Sequence, residues 1–268
     1  MTPGNYAKVN GLNLYHEIHG KGTPLVMLPG GLGTIEMYAQ LLPALAETRQ
    51  VIGVDPQAHG HTGDIDRPLS FELMADDVAA LVRHLGLENV DLLGYSLGGG
   101  VVQQTAFRHP ALVRKLVVVS APHKSDAWYP EVRVGMRSMN AEAAKAMVGS
   151  PPQQAYARVA PKPEDWATLV VKTSEMLSHD YDWSRAVAAL KAPTLIVMGD
   201  ADSLRPAQMA EFFGLLGGGQ RDAGWDGSGM PNARLAVLPA TTHYNIFSSP
   251  LLPGIVTSFL DAPMPSAR

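Results

Sequence analysis

The sequence contains no cysteine, which excludes disulfide bonds and thiolate chemistry. It contains no run of basic residues, and its net charge is -4. Nucleic acid and anionic membrane surfaces are therefore not expected as partners. No segment approaches the roughly 18 uninterrupted apolar residues of a membrane-spanning helix. The stretch "MTPGNYAKVNG" lacks the basic-then-apolar pattern of a secretory signal. These absences predict a soluble, cytoplasmic globular protein. With 268 residues, the chain is long enough for one large α/β domain with a full core.

Short apolar runs are present instead. "LVML", "VIGV", "VDLLGY", "KLVVVS", "TLIVMG" and "RLAVLP" recur along the chain without polar alternation. Such runs fit strands covered on both faces, as in a parallel sheet. Before them, "YAKVNG" and "LNLYHEIHG" are joined through Asn10-Gly11, a strong hairpin signal because both residues tolerate positive φ. Helical patterns lie between the runs. Phe71, Met74, Val78, Leu81, Val82 and Leu85 form one stripe, with Ser70 as N-cap and Gly86 as stop. A second helix is predicted from just after Ser96 to Arg108, and a third over "TIEMYAQLLPALAE" with a kink at Pro43. Strands alternating with helices predict a mostly parallel sheet with helices on both faces. From about Ala121 to Leu190 no strand is evident, and Trp128, Tyr129, Met136, Met139, Met147, Trp166, Met176 and Trp183 concentrate there. A helical insertion is predicted over 121–190, between core segments 1–120 and 191–268.

In open parallel sheets, functional groups gather beyond the carboxyl ends of the strands. Ser96 follows "VDLLGY" inside Gly94-Tyr95-Ser96-Leu97-Gly98. A serine on a tight strand-to-helix turn is presented to a substrate, and the helix N-terminus beneath it favours a developing anion. Pro29-Gly30-Gly31-Leu32-Gly33 follows "LVML", and such a loop can aim a backbone N–H above Ser96. The N–H groups of Gly31 and Leu97 are the candidate oxyanion donors. Asp200 and Asp202 follow "TLIVMG", and His243 follows "RLAVLP". An acyl-transfer serine needs a neutral imidazole to take its proton, and the imidazole needs a carboxylate to orient it. Activity is therefore expected to fall in acid as the base is protonated. Asp200 and Asp202 cannot both point at His243, being separated by one residue.

Other titratable residues have structural readings. His16, His19, His84, His109 and His179 suit surface or helix-end positions. His59 and His61 lack a third ligand at matching spacing, so they are assigned to a structured loop with His59 bonded to backbone. Asp55 is expected to hold its loop, and Asp222 and Asp226 lie in the glycine-rich stretch before the last strand, read as irregular surface. No metal or cofactor is expected.

These motifs together resemble a serine-nucleophile member of the α/β-hydrolase superfamily. "GYSLGG" resembles the nucleophile elbow and "LPGGLG" the oxyanion loop, with Pro29 where the family usually has His. "DPQAHGHTG" is similar to the family's Asp-x-x-Gly-His-Gly-x-Ser stretch, and "GDAD" with "PATTH" to its acid and base segments. The resemblance implies Ser96 as nucleophile, His243 as base, and Asp202 rather than Asp200 as acid. It also implies that 121–190 is the family's cap. Trp128, Met136, Met139 and His123 are then candidates to line an apolar substrate pocket. The implied activity is hydrolysis of small carboxylic esters. Lactone, amide and C–C bond cleavage, perhydrolysis, and a receptor role with vestigial turnover remain alternatives. Oligomeric state stays open.

Overall fold

A computed structural model describes residues 4–264. Its centre is an eight-stranded sheet in the order β1-β2-β4-β3-β5-β6-β7-β8. The strands are β1 (Asn5–Val9), β2 (Leu12–His19), β3 (Thr23–Leu28), β4 (Arg49–Val54), β5 (Val90–Tyr95), β6 (Val113–Val119), β7 (Thr194–Ala201) and β8 (Ala233–Thr242). β1 and β2 form an antiparallel hairpin, with Asn10 and Gly11 both at positive φ. β2 runs antiparallel to β4, and the remaining pairings are parallel.

Two hydrophobic cores sandwich this sheet, and the strands feed them by alternation. Val26 and Leu28 enter one core, and Leu25 and Met27 enter the other. Leu116 and Val118 are likewise separated from Val117 and Val119. A period of two with both faces buried produces an uninterrupted apolar run. One face is covered by α1 (Leu41–Ala46) and, near the C-terminus, by the helix Leu252–Asp261. The other is covered by α2 (Phe71–His84) and α3 (Leu97–Arg108). Ser70 caps α2 by accepting the Leu73 N–H at 3.1 Å, and Gly86 follows it at positive φ.

The predicted third helix is divided in the structure. A 3-10 turn covers Ile35–Tyr38, and α1 begins anew at Leu41. Pro43 has no N–H to offer the carbonyl of Ala39, and its ring obstructs that carbonyl. It is accommodated as the third residue of α1, where no intrahelical partner is required. The feature expected as a kink is thus a restart.

Residues 121–190 form α4 (Pro130–Arg137), α5 (Ala141–Ala146), α6 (Pro151–Val159), α7 (Trp166–Ser178) and α8 (Ser184–Ala189). Among the described residues, only isolated bridges, Lys124 to Asp182 and Trp128 to Leu204, involve this segment. Trp166 pins α7 to α5 by donating its indole N–H to the Ala144 carbonyl at 3.1 Å. After β7, α9 (Pro206–Leu215) precedes β8, and α10 (Leu252–Asp261) closes the fold.

Candidate active site

Ser96 is the turn between β5 and α3, with φ 52° and ψ -117°. A non-glycine residue held at positive φ is strained, and its neighbours make the turn possible. A Cβ on Gly94 would collide with the carbonyl oxygen of Gly98, and one on Gly98 with the carbonyls of Leu28 and Pro29. The Gly98 N–H donates to the Pro29 carbonyl at 3.1 Å, which docks the loop after β3 against the start of α3. The two further glycines admit Ala121 beside Gly99 and the Phe71 ring beside Gly100.

His243 follows β8 and meets Ser96 from the side. Its Nε2 lies 3.1 Å from Ser96 Oγ, and its Nδ1 lies 3.0 Å from Asp202 Oδ1. With the ring proton on Nδ1, donated to Asp202, Nε2 is free to accept the serine hydroxyl. Burial pushes the Asp202 carboxyl upward, but the donors from His243, Ser120 and Gly199 outweigh it and leave the group below the ordinary carboxylate range. Ser120 donates its hydroxyl to Asp202 Oδ2 at 2.5 Å, and the Gly199 N–H donates to the same oxygen at 3.1 Å.

Asp200 takes a different part. Its two carboxylate oxygens accept the N–H groups of Ala240 and Thr241, each at 3.0 Å. It thereby clamps the end of β8 just ahead of His243. Tyr95 secures the same segment, since its buried phenol donates to the His243 carbonyl at 2.7 Å. Burial, reinforced by the Asp202 charge, pushes that phenol well above its ordinary pKa, so it stays a donor.

Gly31 and Leu97 face one another beside Ser96. A Cβ on Gly31 would stand 3.3 Å from Leu97 Cδ1. Among the described residues, no hydrogen bond claims either N–H. All three residues border a cavity of about 430 Å³, within the size range of small-molecule sites. Its walls are largely apolar, with Leu32, Phe71, Trp128, Met136, Met139 and Leu177 contributing. Trp128 stands edge-on to the His243 ring at 5.2 Å.

His123 is a correction to the expected pocket, because it does not border the cavity. Pro122 does, but the next residue turns the other way. The His123 ring is fully buried and packs 4.9 Å from the Phe212 ring of α9. His16 is also buried rather than at the surface. His59 bonds the Gln57 carbonyl through Nδ1 at 2.8 Å, and His61 Nδ1 lies 2.9 Å from Asp55 Oδ2. Asp55 holds its loop, accepting also the Ile35 N–H at 2.7 Å.

Sequence reasoning did not assign Ser120 or Tyr95 a part at the site. Both stood inside quoted motifs, at the ends of "KLVVVS" and "VDLLGY". Their partners, Asp202 and the His243 carbonyl, lie 82 and 148 residues away, and no local spacing encodes such contacts.

The α/β-hydrolase fold family matches residues 23–167, and the chain belongs to this family. It is 27% identical over 253 residues to RutD of Azorhizobium caulinodans, which is provisionally named a carbamate hydrolase; the match spans 89% of this chain and 91% of that protein. The mouse serine hydrolase BPHL is 28% identical over 211 residues, spanning 76% of this chain and 72% of its own. Among solved structures, the enol-lactonase from Burkholderia xenovorans LB400 superimposes with a TM-score of 0.73 at 22% identity, covering 96% of this chain and 100% of the other.

Proposed function

We propose that the protein is a serine hydrolase that cleaves carboxylic esters of small, apolar substrates. The observation that carries this reading is the hydrogen-bonded line from Ser96 Oγ through the His243 ring to Asp202, at 3.1 Å and 3.0 Å. Ser96 Oγ attacks the ester carbonyl while His243 Nε2 takes its proton. Asp202 fixes the tautomer and stabilises the imidazolium. The carbonyl oxygen becomes an oxyanion, which the N–H groups of Gly31 and Leu97 receive at the positive end of α3. His243 then protonates the departing alcohol, leaving an acyl group on Ser96. Water, activated by the same imidazole, releases the acid. The segment 121–190 acts as a cap, supplying Trp128, Met136 and Met139 to the acyl or alcohol pocket. Metal and cofactor have no part in this scheme.

The names of relatives favour a second substrate set for the same machinery. A provisional carbamate hydrolase and an enol-lactonase are among them, so carbamates and lactones belong in any substrate test. The deciding experiment is a panel of esters, lactones and carbamates of graded size, run beside Ser96→Ala. Rapid multiple turnover on esters, lost in the variant, supports the reading. A single turnover with a large ligand-induced stability shift favours a receptor instead.

A further inference from the structure

The cavity beside Ser96 has an uneven charge. Among the described residues, no lysine or arginine borders it. Among the described residues its one carboxylate is Glu131 at the start of α4, which has no hydrogen bond or ion pair within those residues. The four cations within two residues of the cavity lining are turned to other partners. Arg133 and Arg137, on the same helix as Glu131, both reach Asp180. Lys172, next to the cavity residue Thr173, is held by Asp64 at 2.6 Å and by the carbonyls of Ile65 and Arg67 at 3.0 and 2.9 Å. Lys124, close in sequence to Pro122, is held by Glu211 at 2.8 Å. Asp202 adds a second negative charge behind His243.

From this we infer that the site accepts uncharged or cationic esters and rejects carboxylate-bearing ones, with Glu131 as the specificity-determining side chain. A substrate carboxylate entering the apolar cavity would be desolvated with no cation to receive it, and would meet Glu131 as a like charge. A quaternary or protonated amine would instead find a lone carboxylate and the Trp128 ring. The inference rests on the ester-hydrolase reading of Ser96 and deepens it by naming the charge class of the substrate.

Two matched series test it, since either half of the ester can face Glu131. The acyl series is the p-nitrophenyl esters of butyric, succinic and 4-trimethylammoniobutyric acids. The alcohol series is the butyrate esters of phenol, 3-hydroxybenzoate and 3-hydroxyphenyltrimethylammonium. In at least one series, kcat/KM for the anion is expected to fall about tenfold or more below the neutral ester, while the cation matches or exceeds it. Glu131→Gln should narrow the cation-to-anion ratio by about three- to tenfold, and Glu131→Lys should narrow it further. For the parent enzyme the ratio should also shrink as ionic strength rises from low to high, because Glu131 is exposed to solvent. Anions cleaved as well as neutral esters in both series, or a ratio indifferent to both Glu131 and salt, would overturn the inference while leaving the hydrolase reading intact. Absence of turnover on all six esters would overturn both.

Discussion

Ser120 donates its hydroxyl to Asp202 at 2.5 Å, from the turn after β6 to the turn after β7. The contact holds the carboxylate whose other oxygen meets His243 Nδ1. Asp202 thus has separate partners on its two oxygens, and its orientation is set before any substrate arrives. Ser120→Ala should lower kcat about ten- to hundredfold with little change in KM, the size of one hydrogen bond to a charged group. The loss should fall on kcat rather than KM, because Ser120 acts only through the orientation of Asp202. A kcat equal to the parent's would refute this role.

Asp200 and Asp202 are separated by one residue and should differ sharply in effect. Asp202→Asn should cost about 10⁴-fold in kcat, the scale for a lost imidazole anchor. Asp200→Asn leaves one acceptor oxygen for the two N–H groups at the end of β8 and sets an NH2 donor against the other. It should lower activity no more than about tenfold, with a measurable fall in Tm. Steady-state kinetics and thermal melts on the two purified variants decide the matter, and the reverse order of activity losses would exchange the two assignments.

Tyr95→Phe removes the phenol that bonds the His243 carbonyl at 2.7 Å. The expected result is a stability loss of about 1 kcal/mol and a fall of roughly tenfold in kcat as the histidine segment loosens. Denaturant titration and kinetics measure both. Unchanged kcat would show that Asp200 positions the segment without help.

The sheet and the order of chemical groups were legible in the sequence because both are locally encoded. Uninterrupted apolar runs follow from burial of both strand faces, and each candidate group stands just after its own run. Ser96, the Asp200–Asp202 pair and His243 could therefore be singled out from position, and the family resemblance selected Asp202 of the pair. What spacing could not reveal was determined by contacts between distant segments. Ser120 reaches Asp202 and Tyr95 reaches His243 only when the sheet has formed. His123 illustrates the same limit in reverse, since a position after β6 placed it near the cavity but one further residue turned it into Phe212. Pro43 was read as a kink because helical periodicity continues through it. The missing N–H instead divides the segment.

Buried His123 supplies a prediction about stability. Burial pushes its pKa below the ordinary value of 6.5, outweighing Glu211 nearby. The unfolded chain therefore takes up a proton as pH falls through about 6.5, while the native ring does not. The native state loses stability from that point downward until its own lower pKa is reached. His123→Phe removes this contribution, so the fall in Tm between pH 7.5 and 5.5 should be smaller than in the parent. His16 and His59 are depressed in the same direction and His61 in the opposite one. The comparison of variant with parent isolates His123, and an unchanged slope would contradict its burial as a neutral ring.

Covalent capture of the nucleophile tests the central claim most directly. The protein is treated with an aryl alkylphosphonate, the intact mass is measured, and the modified peptide is mapped. One adduct per chain is predicted, located on Ser96, formed together with loss of ester turnover and absent from Ser96→Ala. An adduct on another residue such as Ser120, or full esterase activity in Ser96→Ala, would contradict the account.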